Sequence, residues 1–207
     1  MKTDKGRSMV LRKLKQEDAV GMLEWMQDEQ IRRNFRFTTD KKRLTQTEVL
    51  EFIDTADYVF RDKNSIHYAV TQAGGEYLGT VSLKNIDLTA KNAEYAIVLR
   101  KKAQGKGLAW EATKEILRLA FLEFGLERVY LNVLKENKRA VRLYEKCGFV
   151  YEGEFRRHLF LRGEYKMLRW YGILKEEYQR FGGGYQTVCN RSCCLANGYR
   201  KPQKEAA

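Results

Sequence analysis

The chain has 207 residues, 43% of them hydrophobic, which is enough for one packed domain and a tail. One proline against 12 tyrosines and 10 phenylalanines excludes a disordered chain, and no apolar run approaches the roughly 18–20 residues of a membrane helix. The formal charge of +12 favours anionic partners (nucleic acid, a phosphorylated cofactor or a nucleotide-linked substrate) without choosing among them.

The N-terminus MKTDKGRSMVLRKL lacks the apolar segment of a signal peptide, so a soluble cytoplasmic protein without membrane contact is expected. Residues 1–8 are polar and expected to fray. Val10 to Leu14 alternates apolar and basic residues and predicts a strand. Gln16 to Met26 predicts an amphipathic helix with Ala19, Met22, Leu23 and Met26 inward, and Asp28 to Phe37 a short helix or turn. Thr45 to Ala56 predicts a third helix, with Thr45 and Glu48 as a capping box and Val49, Leu50, Phe52 and Ile53 buried. Strands follow at Ile66–Thr71 and Tyr77–Ile86, joined by the turn Ala73-Gly74-Gly75, with Gly79 as a weak point or bulge.

The stretch EYAIVLRKKAQGKGLAWEATKEILRLAFLEF organises the rest. It reads as a strand over Glu94–Leu99, a basic glycine loop, and a long helix from Leu108 with Ala109, Ala112, Ile116, Leu119, Ala120 and Phe124 on one side. The first N–H groups of a helix point out of its N-terminus without internal partners, and the macrodipole adds partial positive charge there. Gly105 and Gly107 allow positive φ and close approach of an anion, while Lys101, Lys102 and Lys106 add mobile charge. The loop therefore reads as a pyrophosphate cradle. A solvated basic turn would carry the same residues. No Ser or Thr follows Gly105-Lys106 as a P-loop needs, and Trp110 stands where a dinucleotide fingerprint needs its third glycine, so neither of those loops fits.

Gly125 is a helix stop, and Arg128 to Leu134 a strand. Asn137 can cap a helix over Lys138–Lys146, with Ala140, Val141 and Tyr144 on one face and Gly148 ending it. Phe149–Phe155 and Leu159–Leu161 read as two strands, and Tyr165–Ile173 as their partner after the Arg162-Gly163 turn. Lys175 to Phe181 is polar helix or a frayed end. The expected domain spans 9–178, and 179–207 reads as a flexible tail. Its Cys189, Cys193 and Cys194 have no zinc spacing, neither His67 nor His158 is near them in sequence, and no metal site is expected. Cys147 is expected to pack as a small hydrophobe. The element order predicts an α+β domain with a mostly antiparallel sheet.

The combination resembles the GNAT acyl-CoA N-acyltransferase fold, a mixed, mostly antiparallel sheet flanked by helices. The resemblance rests on the strand EYAIVL, the loop Lys102-Ala103-Gln104-Gly105-Lys106-Gly107, the strand VYLNV, and Asn137-x-x-Ala140-x-x-x-Tyr144 followed by Cys147-Gly148-Phe149. The family loop begins with Gln or Arg, so Lys102 is a departure. Within the family, HLFLRGEY and LEWMQDE are similar to the ribosomal-protein and spermidine N-acetyltransferase branch, and LEWMQDEQIRRNF also to nucleotide-amino-sugar N-acetyltransferases.

The resemblance implies a splay between the strand ending at Leu99 and the strand VYLNV. Acetyl-CoA would enter the gap, its pantetheine pairing with the backbone of Ile97, Val98 and Leu99. Its diphosphate would lie on Gln104, Gly105, Lys106, Gly107, Leu108 and Ala109, beside Lys102. Asn137 would bond the pantetheine arm, with Ala140, Tyr144 and Lys146 lining the CoA side. A neutral amine would attack the thioester directly, a backbone N–H near Val98 would stabilise the oxyanion, and Tyr144 would protonate the leaving thiolate. Without the family, Tyr144 reads as a core tyrosine on an amphipathic helix. Glu94 is the candidate base and His67 a weaker one; either is also open to a structural reading.

For the acceptor, Glu24, Asp28, Glu29 and Glu48 could line a polyamine site, whereas Arg32, Arg33 and Arg36 suit a diphosphate. The overall charge leans toward an amino-sugar nucleotide or a protein or peptide N-terminus, with spermidine the alternative. An RNA-binding module without catalysis is the distant alternative, since no RNP1-like motif occurs and nucleic acid is not an expected partner. A homodimer is compatible with the sequence.

Overall fold

The computed structural model describes residues 9–34, 45–56, 64–72 and 74–182. The expectations for residues 1–8, for Arg36, for Ala73 and for the three tail cysteines lie outside these. Strand β1 is Val10–Lys13; a 3₁₀ turn at Gln16–Asp18 leads into α1, Ala19–Gln27, and then α2, Glu29–Arg32. Helix α3 is Gln46–Thr55, followed by β2 Ile66–Thr71, β3 Tyr77–Asp87 and β4 Asn92–Leu99. Helix α4, Leu108–Arg118, continues through a wider turn at Leu119–Glu123. Then come β5 Arg128–Leu134, α5 Lys138–Lys146, β6 Val150–Leu161, β7 Glu164–Leu174 and α6 Lys175–Gly182, which runs past residue 178.

The seven strands form one sheet in the order β1-β2-β3-β4-β5-β7-β6. Every neighbouring pair is antiparallel except β4 and β5. The period-two alternation of β4 sends Ala93, Tyr95 and Leu99 into the main core with Ala112, Ile116 and Phe121 behind them. The other face carries Ala69 and Tyr77 under α1 and α3, packed against Met22, Val49 and Ile53. Helix α3 starts as expected: Thr45 accepts from Glu48 N, and Glu48 Oε2 accepts from Thr45 N at 2.6 Å.

Two local expectations are corrected. The two predicted strands at 149–155 and 159–161 are one strand, β6, whose pairing shifts between Phe155 and Leu159 around Arg157 at φ 53°. An extra residue held in a bulge reads in sequence as a break. Helix α4 does not keep its period to Phe124: Phe124 N donates to Leu119 O, five residues back, at 2.9 Å. That wide turn rotates the face, so Leu117 and Phe121 are buried and Leu119 and Phe124 only partly. Helix α2 is a single turn, with Asp28 as its N-cap.

Gly79 sits where β3 crosses the end of β4, and a Cβ there would run into the Val98 carbonyl oxygen and Leu99. The glycine lets the last residues of β4 lie tight against β3, which fixes that strand on the side away from β5.

Candidate active site

Strands β4 and β5 pair only at Asn92–Arg128, Ala93–Val129 and Glu94–Tyr130. Beyond Glu94, β4 stays with β3 as far as Leu99, while β5 stays with β7 as far as Leu134. The β5-facing edge of Tyr95 to Leu99 therefore makes no ladder pairs, and a gap opens toward the end of β4.

At the mouth of the gap lies the glycine loop. Gly105 and Gly107 adopt φ 78° and 81°, the left-handed region that favours glycine. A Cβ on Gly105 would meet nothing within 4 Å, and one on Gly107 only Glu111 Oε1 at 4.0 Å. The amides of Gly105, Lys106, Gly107, Leu108 and Ala109 donate to no other described residue; the first loop-to-helix bond is Trp110 N to Gly107 O, 2.9 Å. Consecutive unsatisfied amides opening onto empty space at a helix N-terminus are an anion cradle. The residues present thus fit the diphosphate of CoA.

The flanking side chains have other duties. Gln104 spans the mouth, with Nε2 donating to Leu99 O at 3.0 Å and Oε1 accepting from Arg139 Nη1 at 2.8 Å. Lys102 turns away to pair with Glu76, whereas Lys101 and Lys106 are exposed. Asn137 caps α5 through Oδ1, which accepts from Ala140 N at 3.2 Å. Only its amide nitrogen remains for a pantetheine carbonyl.

Tyr144, on α5, is buried in an aromatic cluster of the main core, its ring 5.9 Å from Tyr95 and 6.0 Å from Phe149 by centroid. Burial, and to a lesser degree Cys147, hold its phenol above the usual tyrosine range, so it is protonated at neutral pH. Its hydroxyl bonds to no other described residue. Burial also pushes the Cys147 thiol up to about 11, the wrong state for a nucleophile.

Glu94 is buried at the fork where the two strands part. Its carboxylate accepts from Lys84 Nζ at 3.2 Å, Asn85 Nδ2 at 2.8 Å and Asn132 Nδ2 at 3.3 Å. Asn132 Oδ1 and, on the adjoining position of β7, Trp170 Nε1 are buried with no partner among the described residues. Asn132 was not singled out from sequence; an asparagine inside the otherwise apolar run VYLNVL was the available signal.

His67 is not brought to the gap. It lies on β2, two strand spacings from β4 or about 9.6 Å, with Nδ1 against Ser82 Oγ at 2.7 Å and its ring edge-on to Phe52. The acidic acceptor candidates are also engaged: Glu24 pairs with Arg100, Asp28 accepts from Gln30 N and Ile31 N, and Glu48 closes its capping box. Arg33 faces Glu29 at 4.0 Å, and the carbonyls of Arg32 and Arg33 accept from Arg162 at 3.3 Å each.

A family model described as an acetyltransferase (GNAT) domain matches residues 8–150. The chain belongs to the GNAT acetyltransferase family. It is 34% identical over 117 residues to spermidine N(1)-acetyltransferase of Vibrio cholerae, covering 56% of this chain and 68% of that protein. The corresponding protein of Escherichia coli K12 is 35% identical over 117 residues, covering 56% of this chain and 62% of the relative. A ribosomal N-acetyltransferase-like protein of Bacillus subtilis is 31% identical over 105 residues, 51% of this chain and 57% of its own. In structure, the chain resembles spermidine N-acetyltransferase from Vibrio cholerae in complex with CoA and spermine, with TM-score 0.73, 28% identity, 82% of this chain and 97% of that one covered. As a GNAT, the protein is an acetyl-CoA-dependent N-acetyltransferase, with acetyl-CoA as co-substrate rather than resident cofactor. No helix among the described residues is long and apolar enough to cross a membrane.

Proposed function

We propose that the protein acetylates a primary amine of a polyamine such as spermidine or spermine, taking the acetyl group from acetyl-CoA by direct attack. The observation that carries this reading is the similarity to the spermidine N-acetyltransferase seen with CoA and spermine, which extends over 97% of that chain. The sequence leaned toward an anionic or peptide acceptor on net charge, and the comparisons favour the polyamine instead. Net charge says little about the field at one cleft. The arginine cluster also supports a diphosphate poorly, because Arg33 already faces Glu29.

In this mechanism the loop amides of 105–109 hold the diphosphate, and the free edge of β4 at Ile97–Leu99 pairs with the pantetheine. A backbone N–H near Val98 takes the developing oxyanion. Glu94 accepts the amine's proton, directly or through one water. Tyr144, a phenol kept neutral by burial, returns a proton to the departing thiolate. Cys147 plays no covalent part, since its thiol is held neutral.

The test is a CoA-release screen over spermidine, spermine, amino-sugar nucleotides and peptide N-termini. Polyamines are expected to exceed the other classes in kcat/KM by about tenfold or more, a transition-state difference of about 1.4 kcal/mol. A preference for a nucleotide sugar or a peptide would overturn the acceptor assignment and leave acetyl-CoA dependence standing.

A further inference from the structure

Two helices bring an unusual trio together outside the gap. Trp110 lies in the first turn of α4, three residues beyond Gly107 and so about 4.5 Å along the helix axis from the cradle. Lys114, one turn further on the same helix, holds Nζ 4.5 Å from the indole centroid. Lys146, in the last turn of α5, holds Nζ 5.2 Å from the same centroid. Both ammonium groups act on the thiol of Cys147, lowering its pKa against the burial that raises it, so their fields overlap there. A dianion within reach of both would take a charge-assisted hydrogen bond from each.

CoA supplies such a group. Two arms leave its diphosphate: the pantetheine, which enters the gap toward Tyr144, and the 3′-phosphoadenosine, which has to leave along the outside of α4. We propose that Lys114 and Lys146 bind the 3′-phosphate of CoA and that Trp110 positions both lysines for it. The inference rests on the diphosphate lying on the amides of 105–109. The cradle reads any pyrophosphate, whereas this trio reads the phosphate monoester that distinguishes CoA from its dephospho form. Trp110 is the residue that rules out a dinucleotide fingerprint in the sequence, and here that same side chain acquires a use.

The test is calorimetric titration of the full chain with CoA and with 3′-dephospho-CoA. The wild type is expected to bind CoA about tenfold or more tightly, with the difference shrinking as salt rises, as for an ionic contact. Lys114→Gln and Lys146→Gln should each cut that preference, and together abolish it, with dephospho-CoA affinity within about twofold of wild type. Trp110→Leu should weaken CoA and spare dephospho-CoA, because both lysines lose their common platform. Equal binding of the two coenzymes by the wild type overturns the proposal, as does an equal loss of both in the lysine variants. Failure of the wild type to bind either coenzyme overturns the cradle itself, a different result from loss of discrimination alone.

Discussion

Tyr144→Phe separates chemistry from packing more sharply than any other single change. The substitution removes one oxygen. That hydroxyl makes no hydrogen bond to another described residue, and the ring contacts with Tyr95 and Phe149 are edge-to-face, a geometry that a phenylalanine ring keeps. Stability should therefore stay within about 0.5 kcal/mol of wild type, the usual range where no cavity or broken network is created. A positioned general acid contributes roughly 10²–10⁴ in rate, so kcat should fall by that factor, or by about 2.7–5.5 kcal/mol in the barrier. Acetyl-CoA affinity should not change, because the proposed grip is by the amides of 105–109 and the edge of β4. The assay is steady-state CoA release with spermidine, with thermal melting in the presence and absence of acetyl-CoA as the control. A kcat within threefold of wild type, about 0.65 kcal/mol, in a variant that melts and binds normally would refute the proton-donor role. A large loss of melting temperature would show the oxygen to be structural and refute the stability argument.

Glu94→Gln should lower kcat by about 10² and cost about 1–3 kcal/mol of stability, since Lys84 loses its carboxylate; an unchanged pH–rate profile would exclude Glu94 as the base. Gly107→Ala forces a side chain to φ 81° with open space around it, so about 1–2 kcal/mol of backbone strain should appear as a roughly 5–30-fold rise in KM for acetyl-CoA; an unchanged KM would mean the loop does not need that conformation. Gly79→Ala should destabilise by about 1–3 kcal/mol and lower Tm by several degrees, because the new methyl group meets the Val98 carbonyl; a neutral effect would show β4 is not held tight against β3. Tyr95, Tyr144 and Tyr77 all have phenols raised by burial, Tyr77 to about 12, so the unfolded chain loses those protons first as pH rises. Their stability contribution is intact below the ordinary tyrosine value of about 10 and is lost from there upward. Melting temperature should fall steeply above that pH, and less so in Tyr95→Phe.

The parts of the fold that sequence made legible are those where local chemistry and tertiary packing agree. Asn137 caps the helix it was expected to cap, Thr45 and Glu48 close their box, and Gly105 and Gly107 take the positive φ that only glycine takes readily. What stayed hidden depends on contacts across the chain. The break between Phe155 and Leu159 looks like two strands because a bulge disrupts alternation without ending the strand. The wide turn after Arg118 has no signature in residue type, so the predicted helix face drifts from the real one by Phe124. In the site, the type and spacing of residues pointed to the loop, and the resemblance to the family pointed to Tyr144 and Glu94. They did not reveal that Lys102 serves Glu76, that Glu24 serves Arg100, or that Asn132 reaches back across the fork to Glu94, because each partner is remote in sequence. The acceptor was the least legible feature, since a formal charge summed over a chain does not locate the field at one cleft.

The carboxamide of Gln104 has one end on the last carbonyl of β4 and the other on Arg139 of α5. The entrance is thus braced from both banks before any ligand arrives, and the entropy of ordering the loop is spent during folding rather than during capture. Coenzyme association should accordingly be a single fast phase, limited by collision and orientation and not by a closing segment.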